Sequence, residues 1–480
     1  MTKRLFRSEP EVAGMLQKVE ERRDLFSIAV DGISLWRLLR FEAAVQLQNL
    51  DLSRIELSRT ALLRSLPRAA RQYLMAPCGF RYLGKTSNSG LRGLDARGHF
   101  DIYFDDLIDG IAGGGKLSSL DAGGYELNER GAYRAPIFDD TSVIVASAML
   151  GRIGKTRGAT SAFDELSGVL ARELGLHNLT PAYIARKYRV FVSRRKLYRK
   201  LLKRLGARSI LAANTGQFAL CMAARDIGIP FVEMQHGLFT SNHPDCLPQS
   251  ALSSCADVML PDMLTVYGAY AAELIADTAL SQRGRVRAVG NPTIEKGRQL
   301  RTCRFQPDRR RPVITLTAQG LRDEDTAAFI ADFLRSVSND LTLNIRLHPG
   351  YDSRGVFEHS GVLADPRVRI MPGQSTPATH EIIALSDLHV SVFSTCHYDA
   401  LGIGTPTVVI PGAGHEAVAD LYTNGHAPLL TSPEELAKIV SAGQWLDVPD
   451  TTSHHFFEPG FLKNMGRVFD ELNVTESGVK

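Results

Sequence analysis

No stretch of the chain approaches the roughly 18 uncharged apolar residues that a membrane-spanning helix needs. The opening MTKRLFRSEPEVAGML also has no apolar core of the signal-peptide kind. Together these absences predict a cytosolic protein, at most peripheral on the inner face of the plasma membrane. Its six cysteines, Cys78, Cys221, Cys246, Cys255, Cys303 and Cys396, form no CxxC pair and show no zinc-site spacing. That pattern argues against a disulfide framework or structural zinc and fits reduced thiols. A large charge of one sign is missing too: the net charge is +4, too small to point to nucleic acid. No internal repeat is visible beyond a duplicated strand–helix pattern.

What is present begins with length. At 480 residues the chain exceeds the range over which a single core usually grows, so two domains are expected. Its charge is unevenly spread, because Arg186 to Arg208 holds eleven Lys and Arg and no acidic residue. Such a run suits anionic lipid head groups or an acidic polymer, at about 1 kcal/mol per charge near a membrane. It equally suits a solvated helix face, and the interleaved Val190, Phe191, Leu197 and Leu201 show that part of it packs.

From Ser209 onward short apolar runs alternate with helical patterns, which predicts α/β architecture with parallel sheets. Strands are expected at 209–214, 230–235, 257–261 and 285–290, with helices over 218–226 and around Leu264, Tyr267, Tyr270 and Leu274. The polar, basic 295–312 reads as an exposed linker. Beyond it strands are expected at 313–317, 341–347, 368–371, 388–393 and 407–410, with helices near 325–336, 378–385 and 398–402. This divides the chain into an N-terminal Rossmann-like domain over 1–294 with a helical beginning, the linker, a second such domain over 313–445, and a tail over 446–480. In that tail Phe461, Leu462, Met465, Val468, Phe469 and Leu472 recur at helical spacing. Near the start, 25–50 is helix-like around Trp36, and 100–110 reads as strand then turn.

Ligands of open parallel sheets bind beyond the carboxyl ends of the strands, so polar residues there matter most. IRLHPG ends a strand in His348 and Pro349, aiming an imidazole at the crevice. Arg346, two residues before the histidine, is expected to point away from the side that His348 faces. Further on, SVFSTCHYDALGIGTPTVVIP places Ser394 and Thr395 where a helix begins, and unpaired amides at a helix start favour phosphate. Asp399 follows one turn later, within reach of ribose hydroxyls. Gln319 and Gly320 follow the first strand of the second domain and suit either a pyrophosphate or an ordinary turn. In the first domain FVEMQHGLF ends in Gln235, His236 and Gly237, with His236 expected to oppose His348 across a cleft. Thr215, after the strand at 209–214, is a further candidate for the acceptor side. Asp101, Asp105, Asp106 and Asp109 form an acidic group without metal-ligand spacing, so no metal is expected; Asp105 and Asp106 are candidates for a catalytic base.

MQHG, RLHPG and ST-x-x-x-D-A-L-x-x-G-x-P-T together resemble the two-Rossmann-domain (GT-B) glycosyltransferases of bacterial capsule, lipopolysaccharide and teichoic-acid assembly. The patterns are most similar to CMP-sugar transferases for sialic acid and Kdo and to CDP-glycerol glycerophosphotransferases. The resemblance implies two domains facing across a cleft and a C-terminal helix crossing back to the first. It implies a nucleotide-sugar donor held by His348, Pro349, Ser394 and Thr395, a glycan or glycolipid acceptor, and no catalytic metal or cofactor. Asp399 stands where many such enzymes have Glu. The acidic pair before glycine found in sialyltransferases has only near matches, at Asp105, Asp106, Asp109-Gly110 and Asp31-Gly32, and His243-Pro244 forms a second His-Pro pair in a loop. A UDP-sugar 2-epimerase and a non-catalytic polysaccharide-binding or export subunit are the rival readings.

Overall fold

A computed structural model of the chain describes residues 7–49, 67, 70–75, 77–86, 93–95, 98–119, 137–154, 160–213, 216–237, 242–254, 258–283, 285–306, 311–320, 323–338, 340–348, 353–373, 376–445 and 447–474. Two parallel sheets organise it. The first comprises β1 (Tyr82–Lys85), β2 (Gly114–Ser118), β3 (Ile137–Asp139), β4 (Ile210–Ala212), β5 (Phe231–Met234), β6 (Met263–Val266) and β7 (Arg285–Ala288), in the order 7-6-5-4-1-2-3. The second comprises β8 (Val313–Thr317), β9 (Thr342–Arg346), β10 (Val368–Met371), β11 (Leu388–Ser391) and β12 (Thr407–Val409), in the order 10-9-8-11-12. Helices cover both, so the strands are buried on two faces and read as apolar runs such as Ile314, Leu316, Leu343 and Ile345.

The helices that matter for the site are, in chain order, α1 (Glu9–Arg22), α2 (Leu35–Leu47), α3 (Asp105–Gly110), α4 (Thr141–Ile153), α5 (Pro181–Leu205), α6 (Phe218–Arg225), α7 (Pro292–Arg304), α8 (Asp323–Ser336), α9 (Thr379–Ala384), α10 (Cys396–Ile403), α11 (Asp450–Phe456) and α12 (Phe461–Glu471). Local chemistry explains their limits. In α5, Thr180 caps the Tyr183 amide, Pro181 supplies the first turn, and Gly206 ends the helix at φ +62°. Its buried stripe, Ile184, Tyr188, Phe191, Tyr198, Leu202 and Leu205, holds the basic segment in the core while its charges ride outside.

Several expectations fail for physical reasons. The apolar 258–260 is a buried loop; the strand begins only at Met263, after Asp262 has turned back to accept the Phe231 amide at 2.8 Å. Leu264 is therefore a strand residue, and the following helix is confined to Ala269–Leu274. The turn expected near Gly110 is helix α3, and only Leu35–Leu47 of 25–50 is α-helix. Most of the supposed linker is α7, because its charges find partners on both sides: Lys296 reaches Asp106 at 2.5 Å, and Arg301 donates to Ala384 O and Ser386 O. Gly297 lets α7 approach Ile403 closely. A polar helix between two domains looks, by composition alone, like an exposed connection.

After α11 the chain returns to the first sheet. Glu458 N donates to Tyr267 O at 2.8 Å, and Gly290, at φ +87°, leaves room for Glu458 O where a Cβ would clash. Helix α12 then lies on the first sheet, with Phe469 stacked on Tyr82 at 5.1 Å and Arg81 Nε donating to Val474 O. Phe461, Met465, Val468 and Phe469 are buried there, each contributing on the order of 1.5–3 kcal/mol. Tyr270 of the first domain and Tyr398 of the second both donate to Asp420, a further contact between them. Among the described residues no helix is long and apolar enough to cross a membrane.

Candidate functional site

The carboxyl edges of the two sheets face each other. Asp106, near the start of α3, and Arg346, at the end of β9, both lie within electrostatic reach of His380 at the start of α9. Lys296 of α7, ion-paired to Asp106, belongs to the same group. Burial, foremost, pushes the His380 imidazole down to about 4, with Lys296 and Arg346 adding to this and Glu381 and Asp106 opposing it. One oxygen of Asp106 takes Lys296, and the other is buried without a hydrogen-bond partner. Arg346 is 4% exposed, donates from Nε to Thr379 Oγ1 at 3.2 Å, and sits near Cys396 in the first turn of α10.

In the second sheet the chain order reverses between β8 and β11, the position where open α/β sheets take ligands. The two strands are tied there: Ser391 Oγ donates to Thr317 O at 2.7 Å and Gln319 Nε2 to Ser391 Oγ at 3.2 Å. Beyond β11, Ser394 accepts from the Cys396 amide at 3.2 Å, while Thr395 is exposed and makes no side-chain cap bond. Asp399 is half-buried in the first turn of α10, and His348 is half-buried after β9. The floor is braced by two buried histidines: His389 bridges Thr317 and Thr407, and His397 Nδ1 meets the same Thr407 hydroxyl at 2.7 Å. Burial holds His389 well below the ordinary imidazole value and pushes His397 down to about 3. Both are therefore neutral.

Gln319 and Gly320 sit differently from the expectation for a phosphate cradle. Their amides already donate to Asp323, which is 2% exposed, at 3.2 and 2.9 Å. A carboxylate that fills a turn also repels phosphate. Pro349 and Thr215 lie outside the described residues.

On the first-domain side, His236 follows β5 half-buried, with Nδ1 buried and lacking a hydrogen-bond partner. Burial lowers its pKa, and His243 adds to this. Tyr103 donates to His236 O at 3.0 Å; Gln235 donates to Gly237 O at 2.9 Å and accepts from Tyr267 N at 2.7 Å. His243, expected in a loop, is in one, but a pinned one. Its Nδ1 accepts from Asp245 N, Asp245 pairs with buried Arg37 of α2 at 2.6 Å, and Arg40 donates to Pro244 O. Burial, with Asp245 adding to it, raises the nearby Glu233 carboxyl to about 8.

The acidic candidates separate. Asp105 is 1% exposed, with one oxygen ion-paired to Lys116 and the other accepting Asp101 N at 2.7 Å. Both oxygens are occupied by the fold. Asp101 is fully buried, accepts Tyr103 N at 2.9 Å, and burial raises it to about 6. Asp31 stands in the turn of a hairpin at φ +50° and takes Tyr188 OH at 2.7 Å, which commits it to α5. Of the acidic candidates, Asp106 is ion-paired to α7 and acts electrostatically on His380 of the second domain.

Sequence reasoning missed Lys296, Arg346 and His380. Arg346 stood in plain view two residues before His348, but Lys296 and His380 lie in polar stretches with no motif around them. Among the described residues no group of three or more His, Cys, Asp or Glu could hold a metal ion.

No family model and no curated protein matches the sequence. Among solved structures, the chain is similar to MurG of Acinetobacter baumannii, with 12% identity over 82% of this chain and 99% of that one, at a TM-score of 0.44. It is similar to the wall teichoic acid polymerase TagF with 10% identity over 86% and 93%, TM-score 0.41. It is also similar to UDP-GlcNAc 2-epimerase from Neisseria meningitidis, with 13% identity over 82% and 99%, TM-score 0.43.

Proposed function

We propose that this chain is a glycosyltransferase that moves a sugar from a CMP- or CDP-linked donor to a hydroxyl of a glycan or lipid-linked acceptor. The observation that carries the reading is the Asp106–Lys296 pair of the first domain and its connecting helix, set within electrostatic reach of His380, on which Arg346 of the second domain also acts. A helix start and a buried guanidinium suit the charge that develops on a leaving phosphate. Thr395, Ser394, His348 and Pro349 take the donor nucleotide, and Asp399 its ribose. Gln319 and Gly320 shape the wall of that pocket through Asp323 and leave the phosphate to α10.

His236 faces the acceptor, flanked by Gln235 and Gly237, and Thr215 is a further acceptor-side candidate. As a neutral imidazole it can accept the proton released when the acceptor hydroxyl oxygen bonds to the sugar and the sugar–phosphate bond breaks. Asp106 steadies the groups around the reacting sugar; Asp105 acts at one remove, by holding the α3 turn in place. Negative charge on the leaving group is met by side chains and a helix end, so the reading invokes no metal and no cofactor. Its acceptors are surface-polysaccharide or lipid-linked glycans, reached at the cytoplasmic face.

The test is titration calorimetry of the full chain with CMP, CDP, UDP and GDP, repeated on His348→Ala. Selective binding of a cytidine nucleotide, weakened at least about tenfold in the variant, is the expected result. Binding of none of the four overturns the reading, and turnover of a UDP-sugar without acceptor replaces it with epimerisation.

A further inference from the structure

Helix α4 starts at the carboxyl edge of the first sheet, because Thr141 follows directly on β3. Its direction is fixed by α5, which it meets antiparallel: Tyr198 OH donates to Asp140 Oδ2 at 2.7 Å, Arg194 Nε to Ser147 Oγ at 3.1 Å, and Arg189 Nε to Gly151 O at 2.9 Å. The far end of α5 lies at the amino edge, where Leu205 O accepts Gly79 N and Arg208 N reaches Phe80 O, just before β1. So α5 passes the sheet in its last two turns, and its earlier turns stand beyond the carboxyl edge together with all of α4. At about 1.5 Å per residue, the 13 residues of α4 carry its end on the order of 18 Å past that edge. The projection lies on the carboxyl side of the first sheet, the side of the proposed site.

That projecting end is apolar where it meets solvent. Met149 is 55% exposed, Leu150 43% and Ile153 78%. Gly151, between them, is buried against Val190 of α5, which fixes which side of the turn looks outward. Cations surround it: Arg152 and Arg186 are exposed, and Arg189 is half-buried against Gly151 O. Further along α5, Lys196, Arg199, Lys200 and Lys203 are exposed, while Arg194 and Arg195 are engaged with Ser147 and Asp226. An apolar turn ringed by cations is the combination that seats a helix end in an anionic lipid interface: apolar groups enter the acyl boundary and the cations remain among the head groups.

We infer that the last turn of α4, Met149, Leu150 and Ile153, inserts into an anionic bilayer surface, with Arg152, Arg186 and Arg189 on the head groups, and so turns the cleft mouth toward the membrane. The inference deepens the transferase reading by supplying the route of a lipid-linked acceptor, and it is tested independently of nucleotide binding.

The full chain is sedimented with vesicles of phosphatidylcholine alone and with about one-third phosphatidylglycerol. Expected is binding to the anionic vesicles only, with the bound fraction reduced at least about fivefold in Met149→Ser/Leu150→Ser/Ile153→Ser, whose fold is checked by circular dichroism and whose CMP or CDP affinity is unchanged. In a second measurement Ile153→Trp, a substitution at an exposed position, shifts its emission to the blue on anionic vesicles. Failure of the natural chain to bind, equal binding to both vesicles, equal binding by the triple variant, or an unshifted tryptophan overturns the inference. Loss of nucleotide binding with intact vesicle binding overturns the transferase reading alone.

Discussion

Lys296 Nζ and Asp106 Oδ1 meet at 2.5 Å between the helix that joins the two domains and the first helix after the cleft edge. Lys296 is half exposed in this pair, so the Coulomb gain is screened and its contribution to stability is small. Lys296→Ala is expected to lower stability by less than about 1 kcal/mol. Asp106→Asn is expected to lower kcat by about 10- to 100-fold through lost positioning of the reacting groups. Thermal melts set beside turnover check both; a melt that collapses while turnover per folded molecule is kept removes Asp106 from the site.

Asp105 gives the opposite outcome. Its partner Lys116 is fully buried, and removing one side of a buried pair leaves an uncompensated charge, at about 3–5 kcal/mol. Asp105→Ala is expected to lose that much in urea unfolding, and Lys116→Met paired with it to recover part of the loss.

Ser394 and Thr395 are distinguishable although adjacent. Ser394→Ala removes the bond to Cys396 N and costs about 1 kcal/mol of stability. Thr395→Val removes no cap bond, so stability is expected to hold while nucleotide affinity falls about tenfold, one hydrogen bond to a charged group. Calorimetry with the cytidine nucleotides, alongside melts, separates the two.

Two pH effects follow from buried imidazoles. The His236 pKa lies below the ordinary 6.5, so a rate that needs its neutral form is flat at neutral pH and falls only on the acid side of 6.5. For stability, His380 at about 4 and His397 at about 3 stay neutral in the folded chain while the unfolded chain protonates them below 6.5. The unfolded state then binds more protons. Stability is fully present above 6.5 and declines by about 1.4 kcal/mol per pH unit per histidine between 6.5 and 4. Urea midpoints from pH 7.5 to 4.5 measure the slope.

Much of the second domain was legible because its strands are unbroken apolar runs ending in polar residues. The first domain was legible only from β4 onward. Strands β1 and β2 carry Gly84, Gly114 and Gly115, where Phe104, Tyr82 and Phe80 press against the backbone. Side chains from elsewhere supply the packing, so local periodicity is weak there. The sequence motifs led to His236, His348 and Thr395 at strand ends, but Arg346 was assigned to the wrong side and Lys296 to a linker. Arg346 and His348, two residues apart, share a strand face, which alternation itself encodes, whereas Lys296 is placed by Asp106, a partner distant in sequence that no local pattern encodes.

The chain passes between the domains twice, through α7 and again before α12, and the two passages touch. Phe461 N meets Glu295, Asn464 Nδ2 reaches Val289 O, and Gly290 lies under Glu458 O. Two covalent threads tied side by side act as a hinge with one axle: they permit swing about the line through them and resist sliding or twisting. Any rotation of one domain against the other turns about that line, so residues near it, Asn291 and Pro292 among them, travel the shortest arcs.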